Sequence, residues 1–174
     1  GELPLLKPLV EKGVNIEYMD PNGRSLLLAA VYYQQKEVVD YLLEKDADKW
    51  AADIEGDTAV HIAVAAGNLR IVQSLAKADF GFNTQNNRGE TPLHFACQLD
   101  AKVIAPIVQQ LLNNGANPAV TDNNEITAWH YAVNRNVSSD ILALMQKAQQ
   151  KIKQESAAVD DEIDTLLAIG DIET

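Results

Sequence analysis

A single cysteine in 174 residues excludes an intramolecular disulfide framework and suits a reducing compartment. Aromatic residues are scarce, at 6%, while hydrophobic residues reach 47%. A core with so few rings has to be built from Ala, Leu, Ile and Val between close-packed helices. Basic residues are outnumbered, 14 against 25 acidic, and the net charge is −11. That balance argues against nucleic acid or an anionic membrane as partner, because phosphate binding needs a basic face. No run of 18 apolar residues occurs, so no membrane-inserting segment is expected. The opening residues lack a charged stretch followed by an apolar core, so no secretory leader is expected in them. Together these features point to an intracellular chain, cytoplasmic or nuclear.

What the sequence does contain is repetition. Gly89-Glu90-Thr91-Pro92-Leu93-His94-Phe95-Ala96-Cys97 is preceded 33 residues earlier by Gly56-Asp57-Thr58-Ala59-Val60-His61-Ile62-Ala63-Val64. Another 33 residues earlier stands Gly23-Arg24-Ser25-Leu26-Leu27-Leu28-Ala29-Ala30-Val31, and 36 residues after the anchor stands Glu125-Ile126-Thr127-Ala128-Trp129-His130-Tyr131-Ala132-Val133. A fixed period of this size marks a stacked repeat. Each repeat opens on a turn, as in Asp20-Pro21-Asn22-Gly23, where Pro presets one backbone angle and Gly supplies another.

The pattern G-x-T-P-L-H-x-A-A resembles the ankyrin repeat, and the resemblance covers nearly the whole chain. It implies an all-α solenoid of helix-turn-helix pairs joined by hairpin-like loops, with about four full repeats and partial repeats at both ends. The array is expected over 1–148, divided at 1–19, 20–52, 53–85, 86–121 and 122–148. Residues 1–13 read as the second helix of a half repeat, with Pro8 a source of bending and Gly13 its stop. The half repeat implies that the natural protein continues upstream. The second repeat is the least regular, with Leu28 in the histidine slot and Gln34 in a glycine slot. In the fourth repeat the stripe Ile107, Val108, Leu111, Leu112 comes three residues late. That insertion is expected in the turn between the helices, or as a longer helix. The segment 149–174 is acidic, with seven acids and no Lys or Arg from Glu155 onward. It reads either as a helical cap or as a degenerate sixth repeat, and Lys151–Ser156 as an extension of the last helix.

Chemistry-bearing side chains carry no catalytic constellation. His61, His94 and His130 recur once per repeat, about 10 Å apart for one helix layer. Zinc requires ligands at about 2.0–2.1 Å, so neighbours in this ladder cannot share an ion, and no metal or cofactor is expected. The resemblance assigns these histidines, with the preceding Thr, to hydrogen bonds between adjacent turns. Cys97 occupies a small-residue core slot and behaves as a small hydrophobe. The carboxylate pairs Asp160-Asp161 and Glu55/Asp57 lack an EF-hand or glycosidase context and read as solvated charge.

What remains is a surface that binds a partner protein. The resemblance places binding on the hairpin tips and on the concave faces of the first helices. The tip positions are Asn22 and Arg24; Ile54, Glu55 and Asp57; Asn87, Arg88 and Glu90; Asn124 and Ile126. The helix positions are Tyr32 and Tyr33; Gln98 and Leu99; Asn134 and Arg135. Tyr32 and Tyr33 read as aromatic anchors, or as rings folded over the irregular second repeat. Arg24, Arg88 and Arg135, among Glu55, Asp57 and Glu90, suggest a polar rim that sets register. Trp50 is either an exposed hydrophobe or a local plug, and Trp129 belongs to a core slot. The chain is read as a non-catalytic interaction module. The alternative is the recognition domain of a larger signalling protein or secreted bacterial effector, in the latter case acting in host cytosol. Contact between the acidic tail and the protein's own groove is a further expectation.

Overall fold

A computed structural model describes residues 3–78 and 80–170, excluding the side chains of Ala101 and of 160–170. Nine helices and no strands occur among the described residues: α1 Leu3–Glu11, α2 Leu26–Tyr32, α3 Lys36–Glu44, α4 Ala59–Ala65, α5 Leu69–Lys77, α6 Pro92–Ala96, α7 Ala101–Asn113, α8 Ala128–Asn134 and α9 Ser139–Gly170. Isolated antiparallel bridges, Ala52 with Thr58 and Thr121 with Thr127, close two of the loops as hairpins. The architecture is the all-α ankyrin solenoid that the repeats imply.

The short first helices start where a Ser or Thr caps them. Ser25 Oγ accepts from the Leu28 amide at 3.4 Å, and Thr58, Thr91 and Thr127 form capping boxes with the histidine three residues on. Each first helix packs on its own second helix and on the first helix of the next repeat: α2 on α3 and α4, α4 on α5 and α6, α6 on α7 and α8. The second helices stack behind them, α3 on α5, α5 on α7 and α7 on α9. A continuous core results, in which Leu42, Ile71, Leu75, Ile107 and Leu111 are fully buried. Small residues such as Ala63, Ala96 and Ala132 let the first helices approach.

The three-residue insertion is taken up by α7, which has 13 residues against nine in α3 and α5. Helix accommodates it because Ile104 joins the buried stripe one turn earlier. Pro106 lies inside α7 and Pro8 inside α1 without ending either helix. Gln34 adopts φ of 55° where Gly67 adopts 65°, so the second repeat makes its glycine turn with a glutamine. α9 runs through Gln149 with no turn, and it packs on α7 and α8. The phrase Thr165–Glu173, expected as a cap or as a sixth-repeat helix, has helical backbone to Gly170. Its side chains and residues 171–174 lie outside the described residues. Among the described residues no helix is long and apolar enough to cross a membrane.

Candidate functional site

The hairpin tips are built by one device used four times. The side-chain oxygen of an Asp or Asn accepts from the backbone amides two and four residues later. Asp20 accepts from Asn22 at 2.8 Å and Arg24 at 2.9 Å. Asp53 accepts from Glu55 at 2.9 Å and Asp57 at 3.0 Å. Asn86 accepts from Arg88 and Glu90, both at 3.0 Å, and Asp122 from Asn124 and Ile126, both at 2.9 Å. Such Asx turns satisfy amides that no helix can reach. The tips are then tied to one another. Ile54 N–H donates to Asn22 C=O, Asn87 N–H to Glu55 C=O and Asn123 N–H to Arg88 C=O. The Asn87 side chain adds a bond to Ile54 C=O at 2.9 Å, and Asn123 one to Asn87 C=O at 3.0 Å. This closeness requires glycine at the third tip: a Cβ on Gly89 would lie 2.5 Å from Asn123 Oδ1.

Beneath the tips, the histidines bind repeat to repeat. Thr91 N–H donates to His94 Nδ1 at 3.0 Å, so Nε2 carries the proton and donates to Ile126 C=O at 3.0 Å. His61 repeats the arrangement, with Thr58 N–H on Nδ1 at 3.2 Å and Glu90 C=O on Nε2 at 3.0 Å. Both rings are completely buried. Burial pushes both imidazoles below their usual pKa, against the pull of Asp57, Glu90 and Asp122. His130 keeps the contact to Thr127 but is exposed, with no carbonyl on its Nε2 among the described residues. Both nitrogens of His61 and His94 are engaged, which leaves neither ring a lone pair for a metal. Among the described residues no three His, Cys, Asp or Glu gather as metal ligands. Cys97 is fully buried, and burial pushes its thiol up to about 12, so the sulfur is protonated at neutral pH.

At the end of α2 the two tyrosines stand out from the fold. Tyr32 is 55% and Tyr33 64% exposed, and their rings meet edge to face at 5.3 Å. The turn of the second repeat is made by Gln34 at φ of 55°, with Gln35 Nε2 donating to Tyr33 C=O at 2.8 Å. Arg24 is spoken for: its guanidinium lies 5.0 Å over the Tyr32 ring and 2.9 Å from Asp20. Arg88 is held by Glu90 at 2.7 Å and reaches Glu55 at 3.7 Å. The expected surface role of Glu90 is corrected. It is only 7% exposed, because Arg88, Asn86 and Tyr131 all turn toward its carboxylate. Leu99 and Ile126 are also half-buried: Leu99 packs on the core, and the Ile126 backbone is held by Asp122 and His94. Asn22, Ile54, Glu55, Asn87, Arg88, Gln98, Asn124, Asn134 and Arg135 are exposed as expected. Arg135 does not join the other two arginines. It lines a separate hollow with Leu99, Asp100 and Ile141, near the turns between first and second helices. Trp50 is 63% exposed, with its ring edge over Gly81.

Tyr131 was not among the residues expected. Its hydroxyl donates to Asp122 at 3.0 Å and lies 3.4 Å from Glu90. Burial and the Asp122 carboxylate push it up to about 12. The signal was in the register. Ile62, Phe95 and Tyr131 share one slot, and the two rings lie edge-on to the histidine of the repeat before, Phe95 to His61 at 5.4 Å and Tyr131 to His94 at 5.6 Å. A hollow of about 280 Å³ opens beside Tyr32, lined by Asp53, Asp57, Ile62, Ala65 and Ala66.

A family profile described as ankyrin repeats (3 copies) matches residues 1–86 and 61–156. The chain is similar to the human (Homo sapiens) B-cell lymphoma 3 protein, with 34% identity over 101 residues, covering 56% of this chain and 22% of that protein. It is similar to an ankyrin repeat protein of Acanthamoeba polyphaga mimivirus, 36% identical over 146 residues, covering 76% and 20%. It is also similar to the E3 ubiquitin-protein ligase KEG of Arabidopsis thaliana, 30% identical over 129 residues, covering 71% and 8%. The chain thus spans between 8% and 22% of the length of these relatives. With the tied hairpins, the Thr-His capping boxes and a profile that covers most of its length, the chain belongs to the ankyrin repeat family.

Proposed function

We propose that this chain is a protein-recognition module that binds a partner protein with its concave face, through the hairpin tips and the first helices, without catalysis of its own. Ankyrin repeats generally mediate protein–protein interaction, and stacked repeats bind through extended concave surfaces. The observation that carries the reading here is the exposed Tyr32–Tyr33 pair, set among tips already fixed by hydrogen bonds. Rigid aromatic anchors lose little conformational entropy on binding, and a preformed surface keeps the ordering cost low. Ile54, 62% exposed at the second tip, adds an apolar contact beside them. The acidic tail is a poor occupant of this face, since Asp53, Glu55 and Asp57 would repel it.

The test is paired capture from cytosolic lysate with mass spectrometry, using this chain and a Tyr32→Ala/Tyr33→Ala variant whose helix content is first matched by circular dichroism. A partner held by the first and released by the second supports the reading. Equal retention by both baits counts against the tyrosines as anchors and moves the site elsewhere.

A second reading places the module inside a larger multidomain protein, a signalling protein or a secreted bacterial effector acting in a host cell. The small share of each relative that the chain covers favours it. Expression of the full-length reading frame, followed by mass measurement of the mature protein, decides it.

A further inference from the structure

In all four hairpins an Asp or Asn spends one side-chain atom on the Asx turn. What the second atom does differs. Asp20 Oδ2 is held by Arg24, with Nε at 3.0 Å and Nη2 at 2.9 Å. Asn86 Nδ2 donates to Asp57 Oδ1 at 2.8 Å. Asp122 Oδ2 accepts from the Tyr131 hydroxyl at 3.0 Å. Asp53 Oδ2 has no hydrogen-bond or ion-pair partner among the described residues. The slot that holds Arg24 in the first tip holds Asp57 in the second, 33 residues later. Where the first tip supplies its own guanidinium, the second supplies another carboxylate instead. Among the described residues no Lys or Arg forms an ion pair with Asp53 or Asp57, since Arg88 is turned to Glu90 and Glu55.

Both carboxylates line the same hollow of about 280 Å³ as Tyr32, Ile62, Ala65 and Ala66. The two alanines in the lining leave room for a flat group. We propose that this hollow is a pocket for one arginine side chain of the partner protein. The guanidinium donates to Asp53 and Asp57 beside the Tyr32 ring, which already carries Arg24, and repeats between molecules the carboxylate pairing that Arg24 makes with Asp20 within the chain. Arginine suits the site better than lysine because a planar fork serves two carboxylates at once. The net charge of −11 draws a basic partner toward this face.

The inference rests on the concave face as the recognition surface, and it is tested without the partner. The protein is labelled with ¹⁵N and titrated with N-acetyl-arginine amide, with N-acetyl-citrulline amide and N-acetyl-lysine amide as controls. Amide shifts clustered at Tyr32, Asp53–Asp57 and Ala65–Ala66, saturating with arginine and absent with its neutral isostere citrulline, are the expected result. Lysine should bind more weakly. In an Asp53→Asn/Asp57→Asn variant the arginine affinity should fall about tenfold or more. That variant keeps the turn, because Asn86 makes the same turn in the third tip. Shifts that scatter over the acidic surface, that persist in the variant, or that are equal for citrulline or lysine overturn the arginine pocket. A failed titration leaves the capture result to judge the concave face separately.

Discussion

Replacing His94 with alanine should cost about 3–5 kcal/mol, because the ring serves two repeats at once. The amide of Thr91, a residue only 1% exposed, loses its acceptor at 3.0 Å. The Ile126 carbonyl loses its donor, also at 3.0 Å. Each buried polar group left without a partner costs about 1–3 kcal/mol, and the lost imidazole leaves a void under the Tyr131 ring, 5.6 Å away. Total stabilities of domains lie at about 5–15 kcal/mol, so the loss is a large fraction. His130→Ala supplies the internal control. It removes the same contact to Thr127, at an exposed site with no carbonyl on the far nitrogen among the described residues. Only an N-terminal cap is lost there, about 1 kcal/mol. Urea unfolding followed by far-ultraviolet circular dichroism measures both. With a slope of about 2 kcal/mol per molar, His94→Ala should lower the midpoint by about 2 M, and His130→Ala by about 0.5 M. Equal midpoint shifts at an unchanged slope would refute the reasoning, since they would show that the tie between repeats contributes nothing beyond the cap.

Three further outcomes follow from the same geometry. Stability should fall on acidification: buried His61 and His94 have folded pKa values below their unfolded ones, so the unfolded chain takes up more protons. The stability is fully present above the unfolded value of about 6.5 and is lost as pH falls through the folded values; a thermal midpoint unchanged from pH 7.5 to 5 would contradict it. Cys97, buried with its thiol pushed up to about 12, should react with a thiol reagent at neutral pH only after urea unfolding, and prompt labelling of the native protein would contradict the burial. Glu125 holds φ of 62° in the hairpin slot filled elsewhere by Gly23, Gly56 and Gly89. Glu125→Gly should therefore stabilise by about 1 kcal/mol, less the extra freedom of the unfolded glycine, and a lower urea midpoint would oppose the strain argument.

Much of this protein is legible along the chain because a solenoid is a one-dimensional object. The 33-residue period, the Thr-His pairs and the inner stripe of each second helix are local patterns, and each repeat touches only its neighbours. They point to the stacked fold before any coordinate is known, and the resemblance to the ankyrin repeat that they carry implies the role of His61 and His94. The slots of Tyr32 and Tyr33 left open whether the rings stand free or fold over the second repeat, and the structure shows them 55% and 64% exposed. What register does not determine is the partner of each polar group, because that partner lies in the next repeat and its identity varies. Glu90 has the spacing of a tip residue, yet Arg88 and Tyr131 draw it inward. Arg24 and Arg88 look like a free rim and are already paired. The three-residue insertion of the fourth repeat could have lengthened a turn; packing of Ile104 on the core drew it into α7 instead. Asp53 and Asp57 look like ordinary solvated acids in a list of residues. Only the tertiary structure sets them beside Tyr32, with no ion-pair partner among the described residues, because contacts across repeats depend on side-chain reach in three dimensions and not on spacing along the chain.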